Sequence, residues 1–274
     1  MQTPFTLEIV NRSKPTKPLK AAILDFDGTL SLIREGWQQV MIPYFIEVVN
    51  ATPNHETPTE VEHNVREFVD LLTGKQTIYQ CIRLAEEVVK RGGIPLEPIE
   101  YKAEYHRRLG LRIEHRLAEL RSGGDPLKHL VPGSWDLLNM LRKHGLIVYL
   151  ASGTDEVYVK EEADLLRVTE LCSGGVFGAQ DDYKTFSKAM VIQKIIKDHE
   201  LNGEELIGFG DGYVEIENVH DIGGFAVGVA SNESTRSGID QWKRDRLVGA
   251  GADWIIPDYS DVAQIETGLF NPVE

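Results

Sequence analysis

The sequence has no apolar run long enough to cross a bilayer; its richest stretches, around Leu146 to Ala151 and Phe225 to Ala230, are only strand-sized. Cysteine is equally scarce. Cys81 and Cys172 can neither build a disulfide framework nor fill a four-thiolate zinc site, and they suit a reducing, cytoplasmic compartment. The N-terminal PFTLEIV is too short for the apolar region of a signal peptide, and no small-residue cleavage site follows. Positive charge is in deficit: 29 Lys and Arg stand against 43 Asp and Glu, a net charge of −14. Such a chain repels phosphate backbones and anionic lipids, so nucleic acid and membrane surface are poor partners. No internal repeat or low-complexity tract is present. What is there, 42% apolar and 26% charged residues over 274 positions, is ordinary globular composition for one large or two unequal domains. A soluble, acidic protein is expected, with enzyme the leading class.

A short strand (Thr6 to Val10) and the linker NRSKPTKPLK precede AAILDF, a continuous apolar run of the kind buried on both faces of a parallel sheet. Similar runs recur at residues 146–152, 205–210, 225–230 and 253–257. Helical patterns at Trp135–His144, Lys188–His199 and Gln241–Val248 separate them. Strands alternating with such helices predict a Rossmann-like α/β fold of five or six mainly parallel strands, with ligands bound at the strands' carboxyl ends. One stretch breaks the alternation. Helical patterns at Trp37–Val49, Thr59–Leu72, Ile78–Arg91 and Glu97–Arg121 follow the first core strand, and Pro132-Gly133-Ser134 marks the return. The expected division is therefore an α/β core of residues 1–31 and 132–274 with an inserted helical domain, 32–131.

The strongest chemical signal is Asp25-Phe26-Asp27-Gly28-Thr29-Leu30, at the end of the first core strand. Residues i and i+2 of a strand point to the same side, so two carboxylates start out close together. They repel unless a cation or a shared proton offsets them. Oxygen-only donors without a nearby histidine favour a hard cation such as Mg²⁺. The competing reading is an Asp-Gly turn beside a surface aspartate. The motif has company, however. The run LIVYL ends in Ala151-Ser152-Gly153-Thr154, ELIGF ends in Gly210-Asp211-Gly212-Tyr213-Val214-Glu215, and Ser187-Lys188 opens the helix between them.

These four segments, in this order, resemble the haloacid dehalogenase (HAD) superfamily, and the inserted helices resemble its C1-type α-helical cap. The resemblance implies that Asp25 is a nucleophile forming an aspartyl-phosphate, and that Asp27 is the general acid and base. It implies that Ser152 and Lys188 hold the transferring phosphoryl oxygens, with Gly28, Thr29 and Gly153 lining the substrate. Mg²⁺ would be held by Asp25, the backbone carbonyl of Asp27 and Asp211, with Glu215 standing where the family usually has Asp; Glu217 is the weaker candidate for that second acid. Lys184 is an alternative lysine, read as a solvated loop residue. Asp27 itself points to phosphate esters, because an alkoxide leaving group needs a proton and a halide does not.

Other signals carry less. Gly208-Phe-Gly210-Asp-Gly212 lacks the glycine spacing of a dinucleotide loop, and His106 and His115 lack ligand spacing. Six Lys/Arg against three Glu in Tyr101–Arg121 read as a solvated helix face, or else as a surface drawing an anionic substrate. Arg34 and Lys75 are candidate substrate contacts, the latter in the loop Thr73–Gln76 between expected cap helices; scaffold roles compete for both. The expected function is a Mg²⁺-dependent phosphatase of a small phosphorylated metabolite such as a sugar phosphate. A phosphomutase-type phosphotransferase and a non-catalytic phospho-ligand sensor are the rivals. The oligomeric state is left open.

Overall fold

The apolar runs pair into a single seven-stranded sheet in the computed structural model, which describes residues 5–180 and 186–270. Its strands are β1 (Glu8–Ile9), β2 (Ala21–Leu24), β3 (Ile147–Asp155), β4 (Gly175–Ala179), β5 (Leu206–Gly210), β6 (Phe225–Val229) and β7 (Trp254–Ile256). Their spatial order is β1-β7-β6-β5-β2-β3-β4, parallel throughout except that β1 runs antiparallel to β7. Five or six strands were expected. The extra one, β4, is a half-buried edge strand whose GVFGA sequence is too rich in glycine and alanine to stand out as an apolar run.

The chain divides into two units, Met1–Glu35 with Leu117–Glu274, and Gly36–Arg116. In the first, β2 lies inside the sheet between β5 and β3, and all four of its residues are buried. Side chains of Ala21, Ile23, Tyr149 and Ala151 face a core shared with Val191, Ile192 and Ile195 of α7 (Lys188–Asp198), with Ile216 and Val219 of α8 (Tyr213–Asp221), and with Leu247 of α9 (Gln241–Gly249). Strand alternation sends Ala22, Leu24, Val148 and Leu150 to the opposite face. There α5 (Ser134–Lys143) packs on β3 and on α10 (Val262–Phe270). The remaining helix of this unit, α6 (Glu156–Leu165), follows β3 directly.

Register explains why one end of the sheet carries the chemistry. Leu24 of β2 pairs with Phe209 of β5 and with Leu150 of β3. One step further, the Asp25 amide donates to the Phe209 carbonyl at 2.9 Å. Asp25, Ser152 and Asp211 therefore emerge side by side from three adjacent strands.

The second unit holds α1 (Gln38–Asn50), α2 (Pro58–Leu71), α3 (Thr77–Lys90) and most of α4 (Pro98–Arg121). A Thr57/Glu60 capping box with Pro58 in the first turn starts α2. Phe45 stacks on Phe68, ring centroids 5.9 Å apart, to join α1 to α2. Two cations of the basic stretch in α4 are ion-paired within this unit. Arg107 and Arg108 each bind Glu104 at 2.7 Å, and Arg108 also reaches Glu47 at 2.7 Å. Internal pairing accounts for these two side chains, while Lys102 of the same stretch is buried.

Candidate active site

The loop after β2 is shaped by Gly28, whose φ of 74° suits only a residue without a β-carbon. A Cβ there would overlap Asp211 Oδ2 and come within 3.1 Å of Glu233 Oε1. The Leu30 and Ser31 amides both donate to the Phe26 carbonyl at 2.8 Å, closing a tight turn that turns Asp25 and Asp27 toward the same end of the sheet.

Asp25 is 7% exposed. Its Oδ1 lies 2.8 Å from Lys188 Nζ, and the same ammonium touches Glu215. Lys188 is the first residue of α7, whose N-cap Ser187 accepts the Met190 amide at 3.1 Å. Burial pushes the Asp25 carboxyl up to about 6; Lys188 opposes that rise and Asp211 adds to it.

Asp27 accepts from Thr154 Oγ1 at 2.7 Å and from Ser152 Oγ at 3.3 Å, both on Oδ2. Its other oxygen, Oδ1, has no hydrogen bond and lies 3.8 Å from Arg34 Nε. This carboxyl is also pushed up to about 6, first by loss of hydration, against the pull of Arg34. Arg34 in turn binds Glu162 of α6 through contacts of 2.7, 3.1 and 3.1 Å, and its guanidinium carbon lies 5.3 Å from the Tyr158 ring centre.

Asp211 receives 2.9 Å and 3.4 Å contacts with Thr29 Oγ1, through its amide and its Oδ1 respectively. Its Oδ2 meets Lys243 Nζ at 2.8 Å, and Lys243 also binds Glu233 at 2.7 Å. Burial raises the Glu233 carboxyl, Lys243 lowers it, and Asp211 raises it further.

One pattern runs through all three aspartates. Each faces a cation that is shared with a glutamate: Asp25–Lys188–Glu215, Asp27–Arg34–Glu162 and Asp211–Lys243–Glu233. Six carboxylates thus surround three cations, a surplus of negative charge that a dianionic substrate cannot approach unaided.

Among the expected site residues, Asp25, Asp27, Ser152, Lys188 and Asp211 come together. Thr29 is wholly buried and braces Asp211, and Gly153 follows Ser152 on β3. Glu215, expected on the metal, has its buried carboxylate against Lys188, and neither of its oxygens accepts a hydrogen bond. Arg34 was expected at substrate and is instead engaged by Glu162 beside Asp27. Lys75 is exposed between α2 and α3 in the helical unit. Lys184 lies outside the described residues. The sequence reading missed Thr154, Glu162, Glu233 and Lys243. Thr154 could have been found, since it is the i+2 neighbour of Ser152 on one strand; the others carry no local signal. Among the described residues, no group of three His, Cys, Asp or Glu side chains is gathered to hold a metal by itself.

Residues 19–218 match the model of the haloacid dehalogenase-like hydrolases. The chain belongs to this hydrolase family. Solved structures share the fold. A predicted phosphoglycolate phosphatase from Haemophilus somnus 129PT superposes with a TM-score of 0.59 at 17% identity, covering 91% of this chain and 99% of that one. A β-phosphoglucomutase from Clostridium difficile gives 0.58 at 14%, covering 90% and 96%. CbbY from Rhodobacter sphaeroides, in complex with phosphate, gives 0.54 at 18%, covering 89% and 96%. No curated protein matches the chain. No helix among the described residues is long and apolar enough to cross a membrane.

Proposed function

We propose that this hydrolase is a Mg²⁺-dependent phosphatase that cleaves the phosphate ester of a small metabolite, a sugar phosphate being the leading class. The observation that carries this reading is the convergence of Asp25, Lys188, Ser152 and Asp27 at the carboxyl ends of β2 and β3 and the start of α7. An Asp25 oxygen attacks phosphorus, the bond from phosphorus to the ester oxygen breaks, and Asp27 passes a proton to the departing alkoxide. Asp27 then takes a proton from water as that water attacks the aspartyl-phosphate, releasing phosphate and restoring Asp25. A carboxyl raised toward neutrality, as that of Asp27 is, suits such two-way proton traffic. Ser152 Oγ and Lys188 Nζ are the donors for the phosphoryl oxygens.

The donor set suits a magnesium ion: carboxylates of Asp25 and Asp211, the Asp27 carbonyl, a buried Asp27 Oδ1 nearby that accepts no hydrogen bond, and a local excess of negative charge. When bound, the ion supplies charge neutralisation between nucleophile and phosphate. We assign Glu215 to holding Lys188 rather than to the ion, and Arg34 to orienting Asp27.

The helical unit would serve as a cap of the C1 type, with Lys75 in its specificity loop, and divide the chain near residues 32 and 131. Two buried cysteines, neither in a disulfide, fit a cytoplasmic setting.

The test is hydrolysis of para-nitrophenyl phosphate and of a sugar-phosphate panel with Mg²⁺ or with chelator. Turnover should need Mg²⁺ and vanish in Asp25→Asn, whose fold is unchanged by circular dichroism. Substantial turnover in Asp25→Asn removes the covalent route. Isomerised sugar phosphate without released phosphate would make the protein a mutase instead.

A further inference from the structure

We propose that Lys243, sharing itself between Asp211 and Glu233, is a positioning residue that sets Asp211 to receive the magnesium ion. This rests on the phosphatase reading above and extends it to residues outside the four sequence segments that define the family resemblance. Lys243 is the third residue of α9 and is 9% exposed. A lysine so buried must have its charge met. Its ammonium uses three donors on three acceptors: Asp211 Oδ2 at 2.8 Å, Glu233 Oε1 at 2.7 Å and Ser231 Oγ at 3.2 Å. Ser231 passes its own proton to the Gly28 carbonyl at 2.6 Å, tying the network to the loop that carries Asp25 and Asp27. The remaining side-chain restraint on Asp211 is the 3.4 Å contact from Thr29 to Oδ1. Lys243 therefore supplies the main restraint on Asp211 and occupies Oδ2, while Oδ1 carries only that long contact.

Glu233 makes this arrangement workable. A lone ammonium against a metal ligand would repel a divalent ion, whereas one shared with a second carboxylate leaves the Asp211 corner net negative. Its Oε1 also comes within 3.1 Å of the space above Gly28, so it flanks Asp211 on the loop side. Outer partners of this sort typically change metal affinity by about 10–100-fold when removed.

The sign of the effect separates positioning from simple charge. If Lys243 acted only as a nearby positive charge, Lys243→Met would tighten Mg²⁺ binding. If it positions Asp211, the same substitution weakens it. The measurement is isothermal titration of MgCl₂ into the full metal-free chain, alongside Mg²⁺-dependent hydrolysis of para-nitrophenyl phosphate and the melting temperature. We expect Lys243→Met to raise the Mg²⁺ dissociation constant at least about tenfold, with kcat at saturating Mg²⁺ falling less than the dissociation constant rises. Glu233→Gln keeps shape at a half-buried site and remains informative should the lysine variant misfold. It leaves Lys243 undivided on Asp211, and the dissociation constant should rise about threefold to tenfold. Wild-type affinity or tighter binding in the folded variants overturns the inference, whatever their melting temperatures. Failure of the wild-type chain both to bind Mg²⁺ and to hydrolyse the aryl phosphate overturns the phosphatase reading itself, and this inference with it.

Discussion

Glu162→Ala puts the second Asp–cation–Glu arrangement to a quantitative test. Arg34 is 8% exposed and Glu162 2%. They are joined by contacts of 2.7, 3.1 and 3.1 Å. Breaking a buried pair by deleting one partner costs about 3–5 kcal/mol, because the remaining charge stays desolvated. Here the guanidinium keeps other neighbours, among them Asp27 Oδ1 at 3.8 Å and the Tyr158 ring at 5.3 Å, so the lower end applies. About 3 kcal/mol corresponds to a fall in melting temperature of about 6–12 °C for a domain of about 150–250 residues. Replacing both partners by apolar groups, Arg34→Met with Glu162→Leu, removes the orphaned charge and should be nearly neutral. Stability then returns in the double variant but turnover does not, because Asp27 has lost the cation that orients it. Scanning calorimetry and aryl phosphate hydrolysis on the four proteins of the cycle read both quantities. A single-variant fall below about 2 °C, or additive effects across the cycle, would refute the claim that this pair is a desolvated unit.

Thr154→Val should cut kcat about tenfold or more without altering the Mg²⁺ requirement, since a hydrogen bond to a charged group contributes about 1.5–3 kcal/mol and this one is 2.7 Å long; steady-state kinetics at saturating Mg²⁺ decide it. Gly28→Ala combines a φ of 74° with overlap on Asp211, so thermal stability and Mg²⁺ binding should fall together in calorimetry, and unchanged binding would contradict the placement of Asp211. Burial pushes the Cys172 thiol up to about 12, so at pH 8 it is almost wholly protonated, and Cys81 is fully enclosed. Native protein should therefore show no reactive thiol to Ellman's reagent at pH 8, and two after guanidinium unfolding; rapid reaction of the native chain would show one of these sites to be open.

Much of the sheet was legible because parallel strands buried on both faces leave continuous apolar runs, and five of the seven strands did so, with the short antiparallel β1 legible as Thr6–Val10. β4 did not, since an edge strand with one half-open face can be built from Gly and Ala. Four of the key side chains were legible for a related reason: Asp25, Asp27, Ser152 and Asp211 sit one to three residues past such a run, where strand geometry alone decides their direction. Lys188 was legible as the first residue of a helix after a capping serine. What escaped lies on the flanking segments. Glu162 stands in the middle of α6, Glu233 in the loop after β6, and Lys243 in the first turn of α9. Their role depends on which neighbour they meet across the fold, and an acidic chain offers many equivalent glutamates. Arg34 shows the converse. Its nearness in sequence to Asp27 suggested a substrate contact, but the glutamate that claims it is 128 positions away.

The repetition of one charge motif at all three aspartates has a physical rationale. A bare aspartate at each strand end would be pushed toward protonation, first by burial, which already raises the Asp25 and Asp27 carboxyls, and then by its acidic neighbours. A full ion pair with a lysine or arginine would cure the repulsion but would neutralise each aspartate for the role proposed for it. Dividing each cation between the aspartate and a glutamate behind it gives an intermediate state, in which the aspartate is held in place yet only partly neutralised. Each glutamate also contacts the cation, so its charge is not given over to the aspartate alone. The glutamates at 162, 215 and 233 are therefore expected to tolerate Gln, which keeps the contact, better in stability than in turnover. Equal losses in both would mean that they are ordinary buried ion pairs, and that the division of charge has no part in the chemistry.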